Sequence, residues 1–85
     1  MSGKSTVLLD VLLFLAKEKK GFTRLQIAKQ TKRSYEGVRY AITEGLLQGY
    51  IEEIKDVNLV KFRITKVGLQ YLDEIKKQIE SAIST

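Results

Sequence analysis

The chain has 85 residues, 44% of them hydrophobic and 29% charged, with a net charge of +5 from 15 Lys and Arg against 10 Asp and Glu. That is the length of one domain, with no room for a second core and too much apolar content for a wholly disordered chain. Cys and His are both absent, which excludes disulfides, thiol nucleophiles, imidazole acid–base catalysis and most zinc sites, so neither cofactor nor metal is expected.

Residues 1–5 read as a short polar, flexible arm. Gly3-Lys4-Ser5-Thr6 resembles the end of a phosphate-binding loop, but that loop also needs an earlier glycine and a preceding strand. Ser5 is expected instead as the N-cap of a helix from Thr6 to Lys19. Leu8, Val11, Leu12 and Leu15, with Leu9, Leu13 and Phe14 beside them, make this helix apolar over more than one stripe, so it is expected to bury two faces. Its longest apolar run, Val11 to Ala16, is short of the roughly 20 residues of a membrane span. Asp10 interrupts any signal-peptide pattern. Lys17, Lys19 and Lys20 complement the helix dipole before Gly21 ends the helix.

Thr23 with Gln26 forms a capping box, and Phe22 with Ile27 a hydrophobic staple. They open a second helix, Arg24 to Gln30, with Leu25, Ile27 and Ala28 expected inward. Ser34 is the next N-cap, so only a tight turn separates this helix from a third, Tyr35 to Gln48. At 100° per residue Val38, Ala41, Ile42, Gly45 and Leu46 share the core face of the third helix. Gly49 closes it. Tyr50 to Ile54 and Leu59 to Ile64 are expected to form a hairpin across Lys55-Asp56-Val57-Asn58, with Val60, Phe62 and Ile64 on an apolar face and Lys61 and Arg63 on a basic one. Thr65 caps a last helix from Lys66 to about Ile83, roughly 27 Å long.

Ile27-Ala28, Ser34, Val38, Ile42, Leu46 and Gly49-Tyr50-Ile51 together resemble the winged helix-turn-helix pattern of small bacterial and archaeal regulators. Phe62 to Leu72 resembles the stretch where the wing's last strand passes into a C-terminal helix. Two positions depart from the pattern. Thr31-Lys32-Arg33 stands at the turn where a Gly flanked by apolar residues is common, and Gly45 stands where a Leu is common. The resemblance implies a mainly α fold with a small β-hairpin wing (α+β), ordered helix, short strand, helix, helix, strand, strand, helix. Residues 6–65 would form the winged-helix domain and 66–85 a dimerisation helix.

Charge placement agrees with a nucleic-acid partner. Residues 23–39 hold Arg24, Lys29, Lys32, Arg33 and Arg39 against Glu36 alone, so basicity concentrates where a phosphate backbone would lie. Base readout is expected from Tyr35, Glu36, Arg39, Tyr40 and Thr43 on the third helix, with Arg39 foremost because a guanidinium binds guanine O6 and N7 bidentately. Arg24, Gln26, Lys29, Lys32, Arg33 and Ser34 are the expected phosphate contacts, and Lys55, Lys61 and Arg63 those of the wing.

On the last helix, Gly68, Leu72, Ile75, Ile79 and Ala82 recur at coiled-coil spacing. A homodimer through Leu72, Ile75, Ile79, Ala82 and Ile83 is expected. Glu52-Glu53 and Asp73-Glu74 are poor catalytic dyads: strand neighbours face opposite ways, and Asp73 has Lys76 and Lys77 one turn on. No enzyme activity is therefore expected. The expected function is double-stranded DNA binding as a transcriptional regulator, cytoplasmic and nucleoid-associated, with no small-molecule effector evident. The alternatives are an architectural DNA-coating protein and a winged helix used to bind protein or RNA.

Overall fold

The computed structural model describes residues 3–18 and 20–84, with the side chains of 6–18 and 20–83. Of the expected features, Met1 and Ser2 of the arm and Lys19 lie outside the described residues. The elements are α1 (Gly3–Glu18), α2 (Arg24–Thr31), α3 (Tyr35–Gln48), β1 (Ile51–Asp56), β2 (Leu59–Ile64) and α4 (Lys66–Ser84). Helix α1 starts earlier than expected, so Ser5 lies inside it rather than at its cap. No Pro precedes Thr6 to stop the helix from extending.

The core forms where α1, α2, α3 and β2 meet. Val11, Leu12 and Leu15 of α1, Ile27 of α2, Val38 and Ile42 of α3, and Phe62 of β2 are completely buried. Burying each such side chain contributes about 1.5–3 kcal/mol, the main term that holds three short helices together. Leu25 is a correction: it is 55% exposed. Ile27 and Ala28 are the buried residues of the eight-residue α2.

The hairpin pairs Ile51 with Ile64 and continues in register to Asp56 with Leu59. Only Val57 and Asn58 remain as the turn, so the wing's strands run further than the expected four-residue loop allowed. Val57 is 93% exposed, at φ 57°. The short third strand is a single bridge: Phe22 N–H donates to the Phe62 carbonyl at 3.0 Å and Phe62 N–H to that of Phe22 at 2.7 Å. This stitches the segment before α2 to the wing.

Helix α4 is fastened at its start to the end of α3. Thr65 N–H donates to the Tyr50 carbonyl at 2.9 Å, its hydroxyl donates to the Gly49 carbonyl at 2.5 Å, and the same hydroxyl accepts from Gly68 N–H at 3.0 Å. A Cβ at Gly68 would collide with the Tyr50 carbonyl oxygen and with Ile64 Cγ1. Glycine permits this close approach. Tyr50 and Tyr71 stack with ring centroids 4.3 Å apart. Desolvation, then the neighbouring Tyr71, raises the Tyr50 phenol above its ordinary pKa. Beyond this anchor α4 leaves the body. Lys76 to Ile83 are all exposed, and the molecule measures 50 × 24 × 21 Å.

Candidate nucleic-acid interface

The helix-turn-helix owes its local shape to two caps and one unusual turn. Thr23 and Gln26 form the full capping box: Gln26 N–H donates to Thr23 Oγ1 at 3.2 Å, and Thr23 N–H donates to Gln26 Oε1 at 2.9 Å. Gln26, expected at phosphate, is therefore engaged in holding the start of α2. At the other end Lys32 adopts the left-handed conformation, φ 58° and ψ 35°, with the following Arg33 N–H donating to the Ala28 carbonyl at 3.2 Å. Lys32 thus performs the turn that Gly usually performs, at a backbone cost of about 1–2 kcal/mol. Ser34 then caps α3, accepting from Gly37 N–H at 3.0 Å.

Gly45 answers the second departure from the winged-helix pattern. Ile51 occupies the space a side chain there would need, with Ile51 Cγ1 2.8 Å from where a Cβ would sit. The first residue of the wing therefore packs onto α3, and Ile51 is only 3% exposed.

The outward face of α3 presents Tyr35, Glu36, Arg39, Tyr40 and Thr43, all exposed. They share one surface, as their spacing implied. Arg39 is not isolated there. Its guanidinium donates to Glu36 Oε2 at 2.6 Å and lies 5.2 Å from the centroid of the Tyr40 ring. The hydrogen bond from Arg39 to Glu36, and then their charge attraction, raise the Arg39 pKa further above its ordinary value. Thr43 turns its hydroxyl back to the Arg39 carbonyl at 3.0 Å, a bond local to the helix.

The remaining cations divide into two groups. Lys29 and Lys32 are exposed. Arg33 is tied to α1: its Nε donates to Asp10 Oδ2 at 2.8 Å. Arg24 lies over the Phe62 ring at 4.6 Å, with its Nε buried and without a hydrogen-bond partner. On the wing, Lys61 pairs with Asp56 at 3.0 Å and Arg63 pairs with Glu52 directly across the hairpin. The expected basic face of β2 is thus matched by acids on β1. Lys55 is exposed. Sequence reasoning did not list Asp10 among site residues, although an acid within an otherwise apolar helix signals that a partner is needed.

Helices α1 and α4 enclose an open groove of about 590 Å³, lined by Leu9, Leu13, Leu69, Leu72, Ile75 and Ile79 and edged by Asp73, Lys76 and Glu80. Ile79 is 52% and Ile83 77% exposed, and Ala82 is exposed. Ile75 and Leu72 are half-buried. Lys77 pairs with Asp73 at 3.3 Å, one turn apart. Among the described residues no group of three or more His, Cys, Asp or Glu could hold a metal ion, and no helix is long and apolar enough to cross a membrane.

No protein-family model matches the sequence, and no curated protein matches it. Solved structures do resemble it. Lactococcus lactis ZitR is 21% identical, covering 96% of this chain and 63% of its own, with a TM-score of 0.74. The adhesin competence repressor AdcR of Streptococcus pyogenes is 18% identical over 92% of this chain and 58% of its own, TM-score 0.71. Staphylococcus aureus MepR, a transcription regulator of the multidrug efflux pump MepA, has been solved bound to an oligodeoxyribonucleotide. In that form it is 19% identical over 92% of this chain and 62% of its own, TM-score 0.73. The chain spans less than two thirds of the length of each of these regulators. The likeness runs through all three helices of the core, the hairpin and α4, and it establishes a shared fold.

Proposed function

We propose that this chain, whose fold is that of the winged helix-turn-helix transcription regulators, binds double-stranded DNA as a homodimer and regulates transcription. Helix α3 enters the major groove, and the exposed Lys29 and Lys32 beside it meet phosphate. The observation that carries this reading is the outward face of α3. Five polar or aromatic side chains stand exposed on one helix surface, beside a turn that carries Lys32 and Arg33. The DNA-bound MepR structure shares the fold that presents this surface.

The homodimer rests on the groove between α1 and α4. Leu72, Ile75, Ile79, Ala82 and Ile83 form its seam, and the exposed outer half of α4 supplies the surface that a second copy covers. A two-fold pairing would set two α3 helices about 34–36 Å apart, one turn of DNA. Selection from random duplex DNA tests both parts. The expected product is a palindrome with half-sites one helical turn apart. Failure to enrich any sequence, or enrichment of single half-sites only, contradicts the proposal.

A further inference from the structure

Glu36 is the one acid among the cations of residues 23–39, and it sits in the first turn of α3. An acid there favours the helix dipole, which would be true of any orientation of its side chain. Its carboxylate instead reaches one turn forward and takes the Arg39 guanidinium at 2.6 Å, while the Tyr40 ring lies beside that guanidinium. Both partners remain open to solvent, with side-chain exposures of 47% for Arg39 and 61% for Glu36.

A lone arginine on a recognition helix faces a problem of choice. Its fork of donors fits a phosphate and a guanine edge equally well, and phosphates lie all along the duplex. The bond to Glu36 changes that choice. A phosphate offers only acceptors and negative charge, so drawing Arg39 to it brings Glu36 against like charge. A G·C pair offers N7 and O6 acceptors on guanine together with the N4 donor of cytosine. The ion pair presents the complement, donors from Arg39 and an acceptor from Glu36. One guanidinium nitrogen is bonded to Glu36 Oε2, and an arginine carries five donors, so the fork keeps donors for the base.

We infer that Glu36 is a specificity-determining residue. It holds Arg39 away from phosphate, and the Glu36–Arg39 pair reads a G·C base pair as a unit. This rests on the DNA-binding reading above. The test uses the full chain, the duplex selected from random DNA and an unselected duplex of equal length, titrated between 50 and 200 mM salt. Glu36→Gln keeps the side chain's size and removes its charge. It is expected to bind unselected duplex more tightly, with a salt slope steeper by about 0.9 per protomer. The ratio of selected to unselected affinity should fall roughly tenfold, with the loss concentrated at one G·C position per half-site. In a chain that also carries Arg39→Gln, the Glu36→Gln change should leave the slope nearly unchanged and lower the ratio by much less than tenfold. If Glu36→Gln shifts both duplexes by the same factor with an unchanged slope, or acts equally in the Arg39→Gln background, the inference is overturned while DNA binding stands. A wild-type chain that binds neither duplex overturns DNA binding and the inference together.

Discussion

Arg33, in the turn between α2 and α3, donates to Asp10 near the middle of α1 at 2.8 Å. The turn is therefore fastened to the helix that lines the α1–α4 groove, and its two neighbouring cations acquire different duties. Arg33 positions the turn, whereas Lys32 stands exposed beside it. Arg33→Ala should lower stability to urea by about 0.2–1 kcal/mol, as for a partly exposed ion pair, with a modest change in the salt slope of DNA binding. An unchanged urea midpoint would show that the ion pair does not hold the turn.

Lys32→Gly separates folding from binding. Glycine enters the left-handed conformation of residue 32 without steric cost, so urea stability should rise by about 1 kcal/mol. Removing the charge should weaken all duplexes alike and flatten the salt slope by about 0.9 per protomer. A variant that is both less stable and equally tight would contradict the assigned geometry and role. The wing tip offers the same test without the charge. Val57→Asn places a residue that tolerates positive φ at an exposed turn and should stabilise by about 1 kcal/mol.

The two packed glycines should differ in sensitivity. At Gly45 an added methyl meets the side chain of Ile51. Part of that overpacking cost, about 1–3 kcal/mol, is offset by a helix-propensity gain of about 1 kcal/mol. At Gly68 the methyl meets the Tyr50 carbonyl, a backbone atom held by Thr65, which cannot rotate away. Gly68→Ala should therefore destabilise more than Gly45→Ala in urea unfolding followed by circular dichroism. The reverse order would mean that α4 is not anchored at Tyr50.

Much of this was legible in the sequence because it is local. The capping box at Thr23, the cap at Ser34, the close of α3 at Gly49 and the inward Phe62 all lie within a few residues of the groups they satisfy, whereas Val60, expected on the same apolar face, is 37% exposed near the wing tip. Leu25 was misjudged because the spacing of apolar residues in eight positions does not say where a short helix's buried stripe ends. The longer wing strands were missed because the turn puts a β-branched residue, Val57, at positive φ, where turn chemistry favours Asn or Gly. The bonds of Arg33 to Asp10 and Arg63 to Glu52 join residues 23 and 11 positions apart. Composition counts such cations as basic surface, while the fold pairs them. The Glu36–Arg39 contact, by contrast, spans three positions on one helix and is visible as a spacing.

The proposed dimer predicts a clean dissociation. Ile79→Asp with Ile83→Asp alters side chains already 52% and 77% exposed in one chain, so the fold should persist by circular dichroism while sedimentation at micromolar concentration changes from dimer to monomer. A wild-type monomer, or a doubly substituted chain that remains dimeric, rejects the α1–α4 interface.

The central claim, that the basic helix-turn-helix grips duplex DNA, is tested most directly by titrating the wild-type chain against duplex DNA from 50 to 200 mM salt. A dimer that neutralises about 6–10 phosphates should lose roughly 10³–10⁵-fold in affinity across that range. Duplex binding that is absent at 50 mM salt, or that does not respond to salt, would contradict the account.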